Sequence, residues 1–374
     1  MTILPEGLRS IVGPVIGFIL GLIPLILVHE FGHLIMGKLV GVWAREFGIG
    51  YPPRIIKLFR WQETDFTLNW LPFGGFTRFE GETTFDDGEN PSGDSAAREH
   101  SLYAKGPWQR ILVYLGGSIA NLLTAWLIAI VIFTTGIPKV QAVITDVAPD
   151  SPAQAAALQA GDALIAVNGE AVEGTVELQT AIAENAGEPT VFTVDREGTS
   201  FEVTITPRAD PPEGQGAVGI VIGDQQIDGA LTHYPLPQAV TYGTRYFANV
   251  ASMTAMLPIY IVRMNIPFEQ ARPVGIVGIS QIAEQSVNQS IEQNAPYPFL
   301  NILVLLSISL GIFNLLPIPA LDGGRILFAV IEAIRGKALT PELEERIHLI
   351  ALMILVILFV AVTVLDIVMP VQLQ

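Results

Sequence analysis

Five consecutive residues, His29-Glu30-Phe31-Gly32-His33, set two imidazoles and a carboxylate in an H-E-x-x-H pattern. On an α-helix, residues four apart share a face, so His29 and His33 can reach one cation. Glu30 lies beside them, placed to take a proton from an attacking water. Zinc suits such a set, because it accepts imidazole nitrogen and carboxylate oxygen and can keep one position open for chemistry. The surrounding stretch is apolar, and ionisable residues inside an apolar span are costly unless they have partners and a use. The chain has no cysteine. Disulfide frameworks and cysteine nucleophiles are therefore excluded, and any metal must be held by His, Asp or Glu.

A catalytic zinc needs a third protein ligand. The candidates are His100, His233, His348, Asp366 and Asp322. His100 sits in a polar loop and His233 in an acidic segment, where solvation is the ordinary state. His348 starts the last apolar stretch as an interfacial residue, and Asp366 ends it. Asp322 closes the run Asn314-Leu315-Leu316-Pro317-Ile318-Pro319-Ala320-Leu321-Asp322-Gly323-Gly324. There Pro317 and Pro319 break a helix, and Gly323-Gly324 free the chain to turn a carboxylate inward. Irregular backbone at membrane depth is tolerated only where it is buried or lines a wet cavity, which is where a hydrolytic water must enter.

Those residues must be positioned by membrane helices. Of 374 residues half are hydrophobic and 15% charged, with a net charge of −16 and a mean hydropathy of +0.48. That composition argues against disorder, against an ordinary soluble enzyme and, through its sign, against nucleic acid as a partner. Uncharged stretches long enough to cross a bilayer run from Ile11 to Val28 (continuing to Met36), Ile111 to Pro138, Ala295 to Leu321 and Leu349 to Leu365. Tyr246 to Val262 is uncharged too, but holds Pro258 between Arg245 and Arg263, and reads as an interfacial or groove-lining helix. The first stretch carries no cleavage site and is expected to remain in place. Lys and Arg concentrate between the first two spans and after the third, whereas 139–295 has six against eighteen Asp and Glu. The positive-inside rule then places 139–295 outside and the ends of the first and third spans on the cytoplasmic side. His29, His33 and Asp322 thereby come to a similar depth on two parallel helices.

Segment 139–208 reads as a small β-rich domain, with strands over Val140–Val147 and Ala163–Val167 and a strand pair around Glu197-Gly198. Its stretch SPAQAAALQAGDALIAVNGEAV, with Gly161, Asp162, Asn168 and Gly169 in place, resembles the PDZ family. That resemblance implies capture of an extended peptide at a sheet edge; the alternative is a spacer that excludes by bulk. Residues 209–237 read as a linker, with GAVGIVIG a candidate last strand.

Taken together, HEFGH in a first membrane helix, NLLPIPALDGG in a third and a PDZ-like insert between the second and third resemble the site-2 protease family, in particular its bacterial branch with one PDZ domain on the outer face. Pro72-Phe73-Gly74-Gly75-Phe76 is similar to that family's membrane-dipping β-hairpin. Trp108-Gln109-Arg110 with Gly116-Gly117-Ser118-Ile119-Ala120-Asn121 is similar to its second-helix signature, although many relatives have Gly-Pro where this chain has Gly117-Ser118. Ala271-Arg272-Pro273-Val274-Gly275-Ile276 is similar to a motif before the third helix. The expected fold is a polytopic α-helical membrane protein of about four spans. Residues 1–138 and 295–374 form its membrane domain, 139–224 the extracytoplasmic PDZ-like domain, and 225–294 a linker with an amphipathic helix. The resemblance implies an intramembrane Zn2+ protease of the cell membrane, with its site near the cytoplasmic side. His29, His33 and Asp322 would be the ligands and Glu30 the base, with Asn314, Asn121, Gly74 and Gly75 toward the substrate. It further implies single-span membrane substrates already trimmed by another protease, such as anti-sigma factors or remnant signal peptides. A membrane-anchored PDZ adaptor and a zinc transporter are the rival classes. The adaptor leaves the three matched ligands without a use, and a single H-E-x-x-H helix fits a hydrolase better than a transporter.

Overall fold

A computed structural model describes residues 6–81, 98–212, 214–263, 274–337 and 340–369. The chain forms two compact units, one of residues 136–233 and one of 1–135 with 234–374.

The first half of the larger unit is helix α1 (Glu6–Leu39), two long strands β1 (Ala44–Trp61) and β2 (Thr64–Phe79), and helix α2 (Pro107–Thr135). Helices α1 and α2 cross through Gly32 and Gly116, each lying so close to the other's carbonyl that no side chain fits at either position. Small residues permit such backbone approach between membrane helices. Both strands bend. Residues 44–49 lie between 65–68 and 75–79, while 54–61 pairs with 64–69. Among the described residues this leaves 75–79 as an edge. Phe47, Phe66 and Phe79 pack with Leu34 of α1 and Val113 of α2, which fixes the inner end of the hairpin against the helices. Ile55, Ile56, Phe59, Trp61 and Trp70 of the hairpin are exposed.

The smaller unit comprises β3 (Ile137–Val147), a short helix α3 (Pro152–Ala155), β4 (Ala163–Val167), β5 (Glu170–Ala171), α4 (Gly174–Glu184), β6 (Thr190–Arg196), β7 (Thr199–Ile205) and β8 (Ile220–Thr232). The strands are antiparallel in the order β7-β6-β4-β3-β8, with β5 on β4. Ile144, Leu164, Leu178, Phe192 and Val194 form its buried core. The tight turn at Glu197-Gly198 has φ of 51° and 82°. Residues 225–232 are strand, not the linker that their polar composition suggested: β8 pairs with β3 from Val147↔Ile220 to Ile137↔Thr232, and backbone bonding there outweighs the lack of an apolar pattern.

One ion pair braces this unit. Arg196 donates to the fully buried Asp162 through Nε (2.6 Å) and Nη2 (2.7 Å), and Gln159 N–H adds a third bond at 2.9 Å. Arg196, with the smaller help of that amide, holds the Asp162 carboxyl below its usual range. A depressed carboxyl stabilises the fold above its unfolded pKa of about 3.9, and that stability is lost as pH falls through the folded value. Arg196→Leu, which leaves a buried carboxylate short of donors, is expected to lower the melting temperature at pH 7. Thermal melts of variant and wild type should draw together as pH falls through the folded value of Asp162; a gap that does not narrow on acidification would refute this account.

The larger unit resumes with α5 (Leu236–Arg263), α6 (Ile276–Glu292), α7 (Tyr297–Phe313), α8 (Asp322–Arg335) and α9 (Pro341–Val368). Helix α5 lies on α2, where Gly243 meets the Ile130 backbone and Trp126 Nε1–H donates to Thr244 Oγ1 at 2.9 Å. Helix α6 lies on α1 through Gly17 and Ser280. Among the described residues, three helical stretches are long and apolar enough to cross a membrane: Ile19–Leu39, Pro107–Thr135 and Arg346–Val368. The apolar run from Ala295 to Leu321 is helical over only 17 residues, about 26 Å at the usual rise, because the chain leaves the helix ahead of Pro317. Ala271-Arg272-Pro273 lies outside the described residues.

Candidate metal centre

His29 and His33 fall one turn apart on α1, and their side chains face α2 and the loop 314–321. Loop and ligand are shaped by local chemistry. Pro317 and Pro319 cannot continue α7, so the chain folds back and Gly323 N–H donates to Asn314 O at 2.7 Å. The return brings Gly323 and Gly324 onto the carbonyls of Leu315, Leu316 and Ile318, leaving no room for a Cβ. Asp322 thus begins α8, where a helix N-terminus favours its negative charge.

The three side chains converge. His29 Nε2 lies 3.0 Å from Asp322 Oδ2, His33 Nε2 lies 3.2 Å from the same oxygen, and the two Nε2 atoms are 3.1 Å apart. Three lone-pair donors in one triangle need a cation or protons between them. A tetrahedral zinc with bonds of about 2.0–2.1 Å sets its ligand atoms roughly 3.3 Å apart, so the residues present fit this metal. The far side of each ring is also specified. His33 Nδ1–H donates to Val113 O at 2.8 Å, which leaves Nε2 free to ligate. Behind His29, Asn121 Nδ2 is 3.4 Å from Nδ1, while Asn121 Oδ1 is buried without a partner. Turning the amide end for end gives Oδ1 the His29 Nδ1–H.

A cavity of about 440 Å³ opens onto the triangle, its walls including Glu30, Tyr51, Gly75, Thr77, Asn314 and Arg325. Thr77 Oγ1 donates to the Glu30 carbonyl at 2.9 Å, tying the edge segment of β2 to the residue between the histidines. Of the residues expected at the site, His29, Glu30, His33, Asp322, Asn314 and Gly75 surround this cavity. Gly74 adjoins it, at φ 137° and packed on Ile26 and Tyr51. Asn121 does not line it. The residue is fully buried behind His29, a place that suits orienting the ring rather than touching a substrate.

Among the described residues, His29, His33 and Asp322 are the one cluster able to hold a metal. His100 is structural, donating from Nδ1 to Gly41 O at 2.8 Å and stacked on Trp43. Two further contributors stand beside the histidines, Gly117 from the second-helix signature and Val113, which carried no sequence signal of its own. Gly117 presses flat against both imidazoles, and Val113 acts through its carbonyl, which any residue would supply.

Residues 17–358 match the profile of peptidase family M50. The chain is 30% identical to "Zinc metalloprotease RasP" of Geobacillus kaustophilus, over 96% of this chain and 97% of that protein. It is 28% identical to "Regulator of sigma-W protease RasP" of Bacillus subtilis, over 94% and 97%. With the ligand triangle in hand and a profile that spans nearly its whole length, the chain belongs to peptidase family M50, the site-2 proteases.

Proposed function

We propose that this protein is an intramembrane zinc metalloendopeptidase that hydrolyses peptide bonds within or near transmembrane segments of membrane proteins. The observation that carries the proposal is the triangle of two imidazole nitrogens and one carboxylate oxygen, 3.0–3.2 Å on a side, facing a cavity shared with Glu30. His29, His33 and Asp322 hold the zinc, which when bound polarises the scissile carbonyl and acidifies water. Glu30 accepts the proton of the attacking water and delivers it to the leaving amine nitrogen. Asn314 donates its amide to the substrate backbone or to the oxygen that gains charge. Asn121 orients His29 in place of the substrate contact expected from sequence.

The substrate is a single-span protein. A transmembrane helix must unwind before hydrolysis, and its freed amides need partners. The edge at 75–79 offers them by strand addition. Gly75 belongs there because a Cβ would lie 2.9 Å from both Gly48 O and Leu27 Cδ2. Anti-sigma factors are one such class, and the Bacillus subtilis relative is named a regulator of sigma-W protease. Helix α7 serves as a fourth span completed by the loop 314–321. The protein then lies in the cell membrane with its β-rich unit, PDZ-like and open to a peptide ligand, on the outer side and its metal centre near the cytoplasmic side.

Purified protein incubated in liposomes with a single-span reporter is expected to cut within the span, as read by mass spectrometry. A zinc chelator should abolish the cut and added zinc restore it. Cleavage confined to soluble flanks, or indifferent to chelation, would overturn the proposal.

A further inference from the structure

Helix α9 is the most exposed of the membrane-length helices: 6% of its most apolar stretch is buried. Two of its polar side chains nevertheless reach the backbone of neighbouring elements. Toward its C-terminal end, the fully buried Asp366 accepts from Gly278 N–H at 2.9 Å, in the first turn of α6. Toward its N-terminal end, His348 Nδ1 accepts from Ala320 N–H at 2.9 Å. Ala320 is two residues from Asp322, lines the cavity and has φ +82°. A residue with a side chain holds that conformation only when its surroundings over-determine it. The other amides of this turn, those of Ile318, Leu321, Gly323 and Gly324, bond within the segment 314–324 itself. The Ala320 amide is instead claimed by another helix. Because it is a donor, the His348 proton must sit on Nε2, 3.9 Å from Glu344 Oε1. The ring is held edge-on by Phe328 of α8, with centroids 5.4 Å apart.

We propose that His348 is a positioning residue of the metal centre: by accepting the Ala320 amide it fixes the left-handed turn that presents the Asp322 carboxylate to His29 and His33. Helix α9 is then a working part of the centre and not only an anchor. The inference rests on reading the triangle as the zinc site.

The test uses the purified full-length chain, with zinc affinity measured by competition against a chelating indicator and kcat and KM on the reporter. His348→Phe keeps a ring against Phe328 and deletes the acceptor. His348→Asn offers Oδ1 near the place of Nδ1. Outer-shell changes at metal sites cost about 10–100-fold in affinity. His348→Phe is expected to weaken zinc by that factor and lower kcat with little change in KM, and His348→Asn to stay within about threefold of wild type, well inside that range. Equal affinity in His348→Phe and wild type would overturn the inference, as would an equal loss in His348→Asn. Should His348→Phe fail to fold, His348→Leu makes the same comparison. Wild type that takes up no zinc would sink the metal reading itself, a result distinct from loss in the variants alone.

Discussion

Glu30→Gln is expected to slow peptide cleavage by about 10²–10⁴-fold while leaving the zinc content unchanged. That factor is the ordinary worth of a positioned general base, about 3–5 kcal/mol of barrier. Two features set Glu30 apart from the three proposed ligands. Glu30 lines the cavity but stands outside the triangle formed by His29, His33 and Asp322. Its backbone anchor, the bond from Thr77 Oγ1 to the Glu30 carbonyl, does not involve the side chain that changes. Glutamine keeps the shape and removes only the ability to carry a proton. Reporter cleavage by mass spectrometry and zinc content by elemental analysis decide the matter together. A variant that loses zinc would make Glu30 a ligand; one that cuts normally would leave the base unassigned.

The second large effect is expected at a residue with no functional group. A Cβ at position 117 would sit 2.5 Å from His33 Nε2 and from His29 Cε1, and 2.6 Å from His29 Nε2. Helix α2 cannot retreat to make room, because Gly116 beside it is locked against Gly32 of α1. The rings must give way, and with them the positions from which they face Asp322. Gly117→Ala is therefore expected to reduce zinc affinity by at least about a hundredfold, the upper end of the range for changes behind the ligands, and to abolish cleavage. Ser118→Ala, one residue along the same helix, removes a buried hydroxyl without a partner and should leave zinc binding within a few-fold of wild type. Zinc titration of the two variants checks the contrast, and equal behaviour would refute the steric account.

The sequence made part of this site visible, and for physical reasons. His29 and His33 announce themselves because helical spacing turns four residues into one turn, and because their apolar setting makes them costly. Asp322 could be chosen from five candidates because proline and glycine around it describe a chain turning at membrane depth. The strand pair at 190–205 shows in its alternation and its Glu197-Gly198 turn. What escaped was tertiary. Asn121 carries an amide that suits either a substrate or a histidine, and only the crossing of α1 and α2 decides which it faces. Gly117 showed as part of the second-helix signature, but nothing in the sequence said that it lies against the imidazoles. Residues 225–232 lack an apolar pattern because β8 takes its place through backbone bonds to β3. His348, which the sequence offered as an interfacial residue, works through a backbone amide, a partner no side-chain pattern records.

The insertion of the β-rich unit bears on how the metal centre tolerates change. His29 and Asp322 are 293 residues apart in the chain, so their meeting closes a very long loop with the whole insert inside it. Closure entropy grows only logarithmically, about 0.6 kcal/mol for each doubling of length. The junctions add little more. Ile137 and Thr232 pair at the two ends of the insert, and on the membrane side Tyr234 N–H donates to Phe133 O at 3.0 Å. Entry and exit are thus side by side within each unit. Whatever is inserted there, the three side chains meet at nearly the same entropic cost, and the β-rich unit can be exchanged in evolution independently of the cluster.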